Sequence, residues 1–459
     1  MRSVKLSDIA KWAGGALIQG CPDDTVSRIV TDSRKVEEGD LFIAIKGDRF
    51  DAHDFLEDVC KAKPAALIVS SFRAETESYS GGIIHVRDSI VALQNIARNH
   101  RKTSKGLCVI GVTGSNGKTS TKDFLGAVLS AAGPVNCTAG NLNNHIGLPL
   151  TILSGSEEDQ FGVWEMGMNH PGEIEVLAEI ASPDAAVVTN VGTAHIENMG
   201  TREAIALEKS EIALAVRDGG YLVMPVEDDY FDFVSNRLSE ETSCDIIGVG
   251  IGEGDVRAEN VEMSDTGRAS YELHAGDGNA VSVSLPVAGK HMVLNSLLAA
   301  AVGLREGLSL QQIAEGFSRT ELSGGRLEER EAGGFSFFDD SYNANPDSMN
   351  AALETLRDSE VKGRRVAVLG FMGELGDHAD REHLALGERV CEMGFDALVT
   401  VSEQAELINK GASELGTNQH FSTHAEAAEF LRDFLTPDDL VLVKGSRAAA
   451  MEKVIEALN

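Results

Sequence analysis

Apolar positions along this chain fall into short β-branched runs separated by helix-length stretches of 3.6-residue spacing. From about residue 86 to about 322 the runs Leu107-Cys108-Val109-Ile110, Phe161-Gly162-Val163-Trp164, Ala185-Ala186-Val187-Val188 and Gly220-Tyr221-Leu222-Val223 alternate with such stretches, a pattern that predicts a mainly parallel sheet wrapped by helices. Strict alternation over 255–287, with Val281-Ser282-Val283-Ser284-Leu285 after the turn signal Asp277-Gly278, predicts a small antiparallel insertion. Beyond Ser323-Gly324-Gly325-Arg326 the strand and helix alternation resumes at Arg365-Val366-Ala367-Val368-Leu369, Ala397-Leu398-Val399-Thr400-Val401 and Leu440-Val441-Leu442-Val443, predicting a second doubly wound, Rossmann-like layer. The first eighty or so residues read as a small mixed α/β unit. It opens with a helix from Ser7, as N-cap, to Gly14-Gly15, followed by strands at Leu41-Phe42-Ile43-Ala44-Ile45 and Ala65-Ala66-Leu67-Ile68-Val69. The expected class is α/β in three domains, 1–85, 86–322 and 323–459.

A length of 459 residues agrees with several domains. Subtracting 40 basic from 72 acidic side chains leaves −32, which argues against nucleic acid or an anionic membrane surface as partner. An anionic ligand then calls for a locally positive cleft, with the excess acid elsewhere. Cys21, Cys60, Cys108, Cys137, Cys244 and Cys391 form no C-x-x-C pair and read as reduced, mostly buried thiols. With no apolar run of about 18 residues and no apolar signal core after Met1, a cytoplasmic protein without membrane insertion, and a monomer, is expected.

The sharpest chemical signal is Gly111-Val112-Thr113-Gly114-Ser115-Asn116-Gly117-Lys118-Thr119-Ser120, a strand running through glycines, a lysine and hydroxyls into a helix. Backbone N–H groups of such a turn and the helix N-terminus point at phosphate oxygens, Lys118 adds a point charge, and Thr119 offers a hydroxyl to Mg²⁺. Val112 stands where the common G-x-x-x-x-G-K-[ST] loop has glycine, so this is a variant P-loop, assigned to the central domain. Glu165 ends a predicted strand, where the ligand crevice of an open sheet lies; a surface glutamate beside a turn is the plainer alternative. His195 follows another strand and, alone, fits a satisfied loop histidine equally well. Lys209 lies on the apolar face of its helix without an acidic neighbour at i±3 or i±4. Either it snorkels or it is held neutral, since burial lowers a lysine pKa.

The string Thr113-Gly114-Ser115-Asn116-Gly117-Lys118-Thr119 resembles the loop of Mur ligases and folylpolyglutamate synthases, and the likeness to the Mur ligase family runs along nearly the whole chain. That resemblance implies that Gly114, Ser115, Asn116, Gly117, Lys118, Thr119 and Ser120 cradle ATP, with Asn295 at the adenine, Arg326 at the phosphates, Asp340 at the ribose, and Tyr342 and Asn343 flanking the nucleotide. By the same resemblance, Thr119, Glu165 and a carbamylated Lys209 would bind Mg²⁺, with His195 at a second Mg²⁺, and Lys118, Lys209, His195 and Arg326 would serve the reaction. It further implies Ser33 and Arg34 at a UDP-sugar in the first domain, Asn141, Asn143 and Asn144 at the muramoyl peptide, and Lys444, Ser446 and Arg447 at the incoming peptide's carboxylate. Asp340-Ser341-Tyr342-Asn343-Ala344-Asn345-Pro346-Asp347-Ser348-Met349 and Leu369-Gly370-Phe371-Met372-Gly373-Glu374-Leu375-Gly376 resemble the branch that joins D-alanyl-D-alanine to UDP-N-acetylmuramoyl-tripeptide through an acyl phosphate. Ala52 and Phe371 depart from that branch, where glycine and aspartate are usual. The missing D-N-P-R string argues against the diaminopimelate-adding sibling. Another Mur ligase or a folylpolyglutamate synthase-like amide ligase is the nearer alternative, and a P-loop phosphotransferase and a non-catalytic nucleotide switch are the remote ones.

Overall fold

A computed structural model describes every residue except Asp48 and Asp277, and every side chain but theirs and that of Glu77. The first unit holds a five-stranded sheet in the order Ala16–Gln19, Gly82–His85, Ala66–Val69, Leu41–Ile43, Ile29–Val30, antiparallel at the first junction and parallel thereafter. Its helix Leu6–Ala13 stops at Gly14, which takes φ 65° and donates to Ala10 and Lys11 carbonyls, a left-handed terminus that glycine adopts without strain. The expected Ser7 cap is not used. The helix starts one residue earlier because Leu6 N–H and Ser7 N–H donate to the Asp24 and Pro22 carbonyls, so a neighbouring loop satisfies the free donors that a capping side chain would otherwise take.

The central sheet has nine strands in the order Ala280–Ala288, Arg268–His274, Val256–Met263, Asp245–Ile251, Tyr221–Pro225, Ala185–Val188, Cys108–Thr113, Phe161–Glu165, Val135–Cys137. The two junctions between the first three of these strands are antiparallel, as expected over 255–287, and the rest are parallel. These strands are not a separate insertion, however. Val249 pairs with Val256 in parallel register, so they extend the main sheet and share its buried core with Val112, Val187 and Val223. Of the turn signal Asp277-Gly278, Asp277 lies outside the described residues; Gly278 has φ 84°.

The third unit carries six strands, Glu328–Ala332, Phe335–Asp340, Leu440–Lys444, Arg365–Leu369, Ala397–Val401, Thr417–Phe421, antiparallel only at the first junction. Helices cover both faces, over cores that include Leu353 and Leu386 on one side and Leu431 and Ile455 on the other. We keep boundaries near 85 and 323 as our reading. The helix Ser89–Thr103 joins the first two units, because Leu93 and Ile96 share one core with Leu6 and Ile9 and with Leu148 and Leu177, while Arg101 pairs with Asp184 at 2.8 Å. All six cysteines are free, but Cys21 is exposed and the other five only half-buried, less than their residue type suggests.

Candidate active site

Three neighbouring strands deliver the site. Cys108–Thr113 lies between Ala185–Val188 and Phe161–Glu165, and all three end at the same edge, the crevice beyond the carboxyl ends of a parallel sheet. The glycine loop leaves the middle strand and enters the helix Lys118–Leu129. Gly114 has φ 151°, and a Cβ there would stand 1.7 Å from Thr189 Oγ1; Gly117 has φ 77°, and a Cβ there would stand 2.6 Å from Asn295 Oδ1. Only glycine therefore fits either position. The loop is held by its neighbours: Ser115 N–H donates to Asn190 O, Asn116 N–H to Asn190 Oδ1 at 2.9 Å, and Gly192 N–H to Ser115 Oγ at 2.9 Å.

Lys118 Nζ folds back on Gly114 O at 2.7 Å, and burial pushes its pKa below the usual lysine value. Thr119 Oγ1 donates to Glu165 Oε2 at 2.8 Å and accepts from Arg326 Nη2 at 3.0 Å, while Asn143 Nδ2 donates to Glu165 Oε1 at 2.7 Å. Arg326, from the third unit, also stacks on the Tyr342 ring at 4.0 Å, which fixes the guanidinium plane. Two more contacts tie the third unit to the central one: Asn345 Nδ2 donates to Asn116 Oδ1 of the loop at 2.7 Å, and Asp347 Oδ2 accepts at 3.0 Å from Thr193 N–H, in the segment after the strand Ala185–Val188. Asn345 caps the helix Pro346–Asp358, so the helix N-terminus is what grips the P-loop.

A cleft of about 1670 Å³ opens over these groups. It is lined by the expected Ser115 to Ser120, Asn141, Asn143, Asn144, Glu165, His195, Asn295, Arg326, Asp340, Tyr342, Asn343, Lys444, Ser446 and Arg447. Gly114 lies behind the loop backbone, and Ser33 and Arg34 belong to the first unit, outside this cleft. There Arg34 is 86% exposed and hydrogen-bonded to Asp32 at 2.9 Å. Asn144 Oδ1 is occupied by Gly147 N–H, at the start of the helix Gly147–Ser154. Lys444 is buried and committed to Asp340 Oδ2 at 2.5 Å and to Asn343 O at 3.0 Å. These partners occupy the cation, so it does not stand free for a peptide carboxylate. Arg447 pairs with Glu452 at 2.9 Å, and the buried Ser446 hydroxyl has no hydrogen-bond partner among the described residues.

The expected cations Lys118, Arg326, Lys444 and Arg447 line the cleft, whereas Arg34 does not, and carboxylates share the lining. Glu165, Glu173, Glu227, Asp228, Asp229, Asp340, Asp347 and Glu374 line the cleft against Lys118, Arg202, Arg326, Lys444 and Arg447. Eight carboxylates against five cations leave three excess negative charges of the 32 on the chain before any Mg²⁺ is counted, and Lys444 and Arg202 are paired with Asp340 and Asp229. Bound anions thus need added cations to balance their charge. His195, which the resemblance assigns to a second Mg²⁺, stands apart from the Thr119 and Glu165 pair, and no group of three or more His, Cys, Asp or Glu able to hold a metal occurs among the described residues. Thr119 and Glu165 touch, whereas His195 Nδ1 faces Glu374 Oε2 at 2.5 Å and Lys209 stands apart. The Thr119 and Glu165 oxygens fit a Mg²⁺ that arrives with nucleotide phosphates, the usual mode for this ion.

Lys209 is 1% exposed, which excludes snorkelling. Its ammonium has no hydrogen-bond or ion-pair partner among the described residues, and burial, then the Lys118 charge, pushes its pKa well below the lysine value. Beside it, Glu208 is spent on Gly172 and Ile174 N–H groups at 2.8 Å, so it stabilises the start of the helix Glu173–Ala181 instead of neutralising Lys209. Sequence reasoning missed the roles of Asn190, Asn345, Asp347 and Glu374. The Asn-Pro-Asp-Ser cap was a readable signal for Asn345 and Asp347 as helix-starting residues, though not for what they reach.

A variant P-loop at the switch of a parallel sheet, closed over by an arginine and a helix N-terminus from a second doubly wound unit, defines a multidomain nucleotide-handling protein. A model of the Mur ligase middle domain matches residues 112–303, and one of the Mur ligase glutamate ligase domain matches 325–447. Over its full length the chain is 36% identical to the UDP-N-acetylmuramoyl-tripeptide--D-alanyl-D-alanine ligase of Bacillus subtilis, spanning 98% of that protein. The chain belongs to the Mur ligase family. Among solved structures, MurF from Acinetobacter baumannii matches with a TM-score of 0.91 at 35% identity, over 100% of this chain and 99% of that one. MurF from Thermotoga maritima in complex with ADP matches with a TM-score of 0.82 at 31% identity, over 94% and 97%.

Proposed function

We propose that this chain is an ATP-dependent ligase that joins D-alanyl-D-alanine to UDP-N-acetylmuramoyl-tripeptide, in the cytoplasm, as a monomer. The observation that carries the reading is the full-length likeness to ligases of that name. The approach of Arg326 to Thr119 at the P-loop supports it. No helix among the described residues is long and apolar enough to cross a membrane.

In this reading the terminal carboxylate of the tripeptide attacks the γ-phosphorus of ATP, forming an acyl phosphate and releasing ADP. The amine of the dipeptide then attacks the acyl carbon, releasing inorganic phosphate and a proton. The loop N–H groups and Lys118 hold the phosphates in line, and positioning with charge stabilisation supplies the rate. Arg326 adds charge from the third unit, and the contacts of Asn345 with Asn116 and of Asp347 with Thr193 keep that unit seated, so water is excluded from the acyl phosphate. Mg²⁺ at Thr119 and Glu165 would neutralise phosphate charge in an acidic cleft. Burial lowers the Lys209 pKa, which favours the neutral amine that could react with CO₂ to give a carbamate, and His195 is the further ligand the family pattern suggests. Asp340, Asn295, Tyr342 and Asn343 would hold the nucleoside, Ser33 and Arg34 the UDP-sugar, Asn141 and Asn143 the muramoyl peptide, and Ser446 and Arg447 the dipeptide carboxylate.

The test is phosphate release from ATP with UDP-muramoyl-tripeptide, with and without D-alanyl-D-alanine, alongside mass detection of the UDP-pentapeptide. Dipeptide-dependent release and that product are expected; release that ignores the dipeptide, with no product, refutes the reading.

A further inference from the structure

His195 and Glu374 come from different units and meet at the mouth of the cleft. His195 has φ 64° and ψ 22° and opens the helix Ile196–Met199, a left-handed conformation that is uncommon for a side chain of its size. Glu374 has φ 60°. Two non-glycine residues held in that region, facing each other across a domain gap, mark a place where the surrounding fold imposes the geometry. The separation of His195 Nδ1 from Glu374 Oε2 is 2.5 Å, although the approach lies off the ideal hydrogen-bond line and Nδ1 has no other polar partner among the described residues. The backbone repeats the contact: Glu197 N–H points to Glu374 O at 3.4 Å, and Gly376 packs on the Glu197 side chain. The loop 373–376 therefore meets the central unit at the residues around His195.

We infer that Glu374 is a positioning residue: it accepts a hydrogen bond from His195 Nδ1–H, fixes the ring and its tautomer, and does so only when the third unit is seated on the central one. With Nδ1–H held by a carboxylate, Nε2 carries the lone pair. The imidazole acquires a defined acceptor, able to ligate a cation or take a proton, as a consequence of domain docking. His195 thus becomes competent at the same moment as Arg326 reaches Thr119. The two contacts are separate, so removing Glu374 leaves the Arg326 approach intact.

This inference rests on the ligase reading, and the unaltered enzyme serves as the reference for both. If it makes no UDP-pentapeptide, the ligase reading fails; if it does and the variants behave as it does, only the role of Glu374 fails. Glu374→Ala and Glu374→Gln would be measured for kcat and for KM of each substrate, and both proteins labelled with ¹⁵N-histidine would be read by NMR, with His195→Gln assigning the His195 signals. Glu374 is half-exposed, so neither change should unfold the protein. Expected are a fall in kcat of about 10–100-fold for the alanine variant with KM for ATP and dipeptide within about twofold, as for loss of an orienting partner. The ¹⁵N shifts of His195 should lose the Nδ1–H tautomer in Glu374→Ala, and Glu374→Gln, which keeps an acceptor oxygen, should recover part of both. A kcat within about twofold of the reference, unchanged His195 shifts, or a loss confined to KM for the dipeptide would each overturn the assignment.

Discussion

Replacing Lys444 by methionine removes the cation from a carboxylate that the fold keeps largely out of water. The ammonium lies 2.5 Å from Asp340 Oδ2, with 3% of the lysine and 14% of the aspartate side chain exposed. At an effective dielectric of about 20, unit charges at that separation attract by roughly 6–7 kcal/mol before desolvation is counted. The variant has another route, which is to protonate Asp340; from an aspartate value of about 3.9 this costs about 4 kcal/mol at pH 7. The lower-energy route sets the loss, so about 3–4 kcal/mol is expected, within the range for breaking a buried pair. Burial already raises the Asp340 pKa while Lys444 opposes the rise. Without Lys444 the folded-state value climbs further above the unfolded one, so the deficit is largest at pH 7 and shrinks as the pH falls toward 4. Hydrogen exchange of the strands Phe335–Asp340 and Leu440–Lys444, variant against parent at pH 7.5 and pH 5, measures the loss locally. The double variant Lys444→Met/Asp340→Asn, with no charge left to strand, should recover more than half of it. Exchange within about 1 kcal/mol of the parent at pH 7.5, or a deficit indifferent to pH, would refute the reasoning.

Gly114→Ala must displace Thr189, whose hydroxyl stands 1.7 Å from the new Cβ; at about 1–3 kcal/mol of strain this should weaken nucleotide binding by roughly 10–100-fold, read by titration with a fluorescent ATP analogue, and unchanged affinity would contradict it. Lys209→Ala should abolish ligation, with partial return on adding acetate or another short carboxylate; full activity without any additive removes the carbamate. His100 is buried with both ring nitrogens unpartnered, and burial pushes its pKa down to about 4. Its neutral form therefore favours the folded state above about pH 6.5, and that contribution, up to about 3 kcal/mol, is lost as the pH falls to about 4. His100→Phe should flatten the fall of the urea midpoint between pH 7 and pH 4.5, and parallel curves for variant and parent would exclude this origin.

The strands Ala185–Val188, Arg365–Leu369 and Ala397–Val401 were legible to the residue, because buried parallel strands are short unbroken apolar runs bounded by turns. The P-loop was legible for a related reason: strand, glycines, lysine and helix are contiguous, so local sequence dictates local geometry. The start of the first helix was not, since a loop at Asp24 and Pro22 replaced the cap, and the 255–287 strands could not be joined to the main sheet before their pairing partner was known.

By itself the sequence determined the three α/β layers, the variant phosphate loop at Gly114–Thr119, the family resemblance and an unpaired Lys209 on an apolar face. Tertiary structure alone decided what those groups meet. It set Lys444 on Asp340, brought Arg326, Asn345 and Asp347 from more than 200, 200 and 150 residues away onto Thr119, Asn116 and Thr193, and placed Glu374 against His195. It also decided which carboxylates share the cleft with its cations. Periodicity and local motifs record which face of an element is buried. Long-range pairing of charges depends on how whole units dock, and no stretch of sequence encodes that on its own.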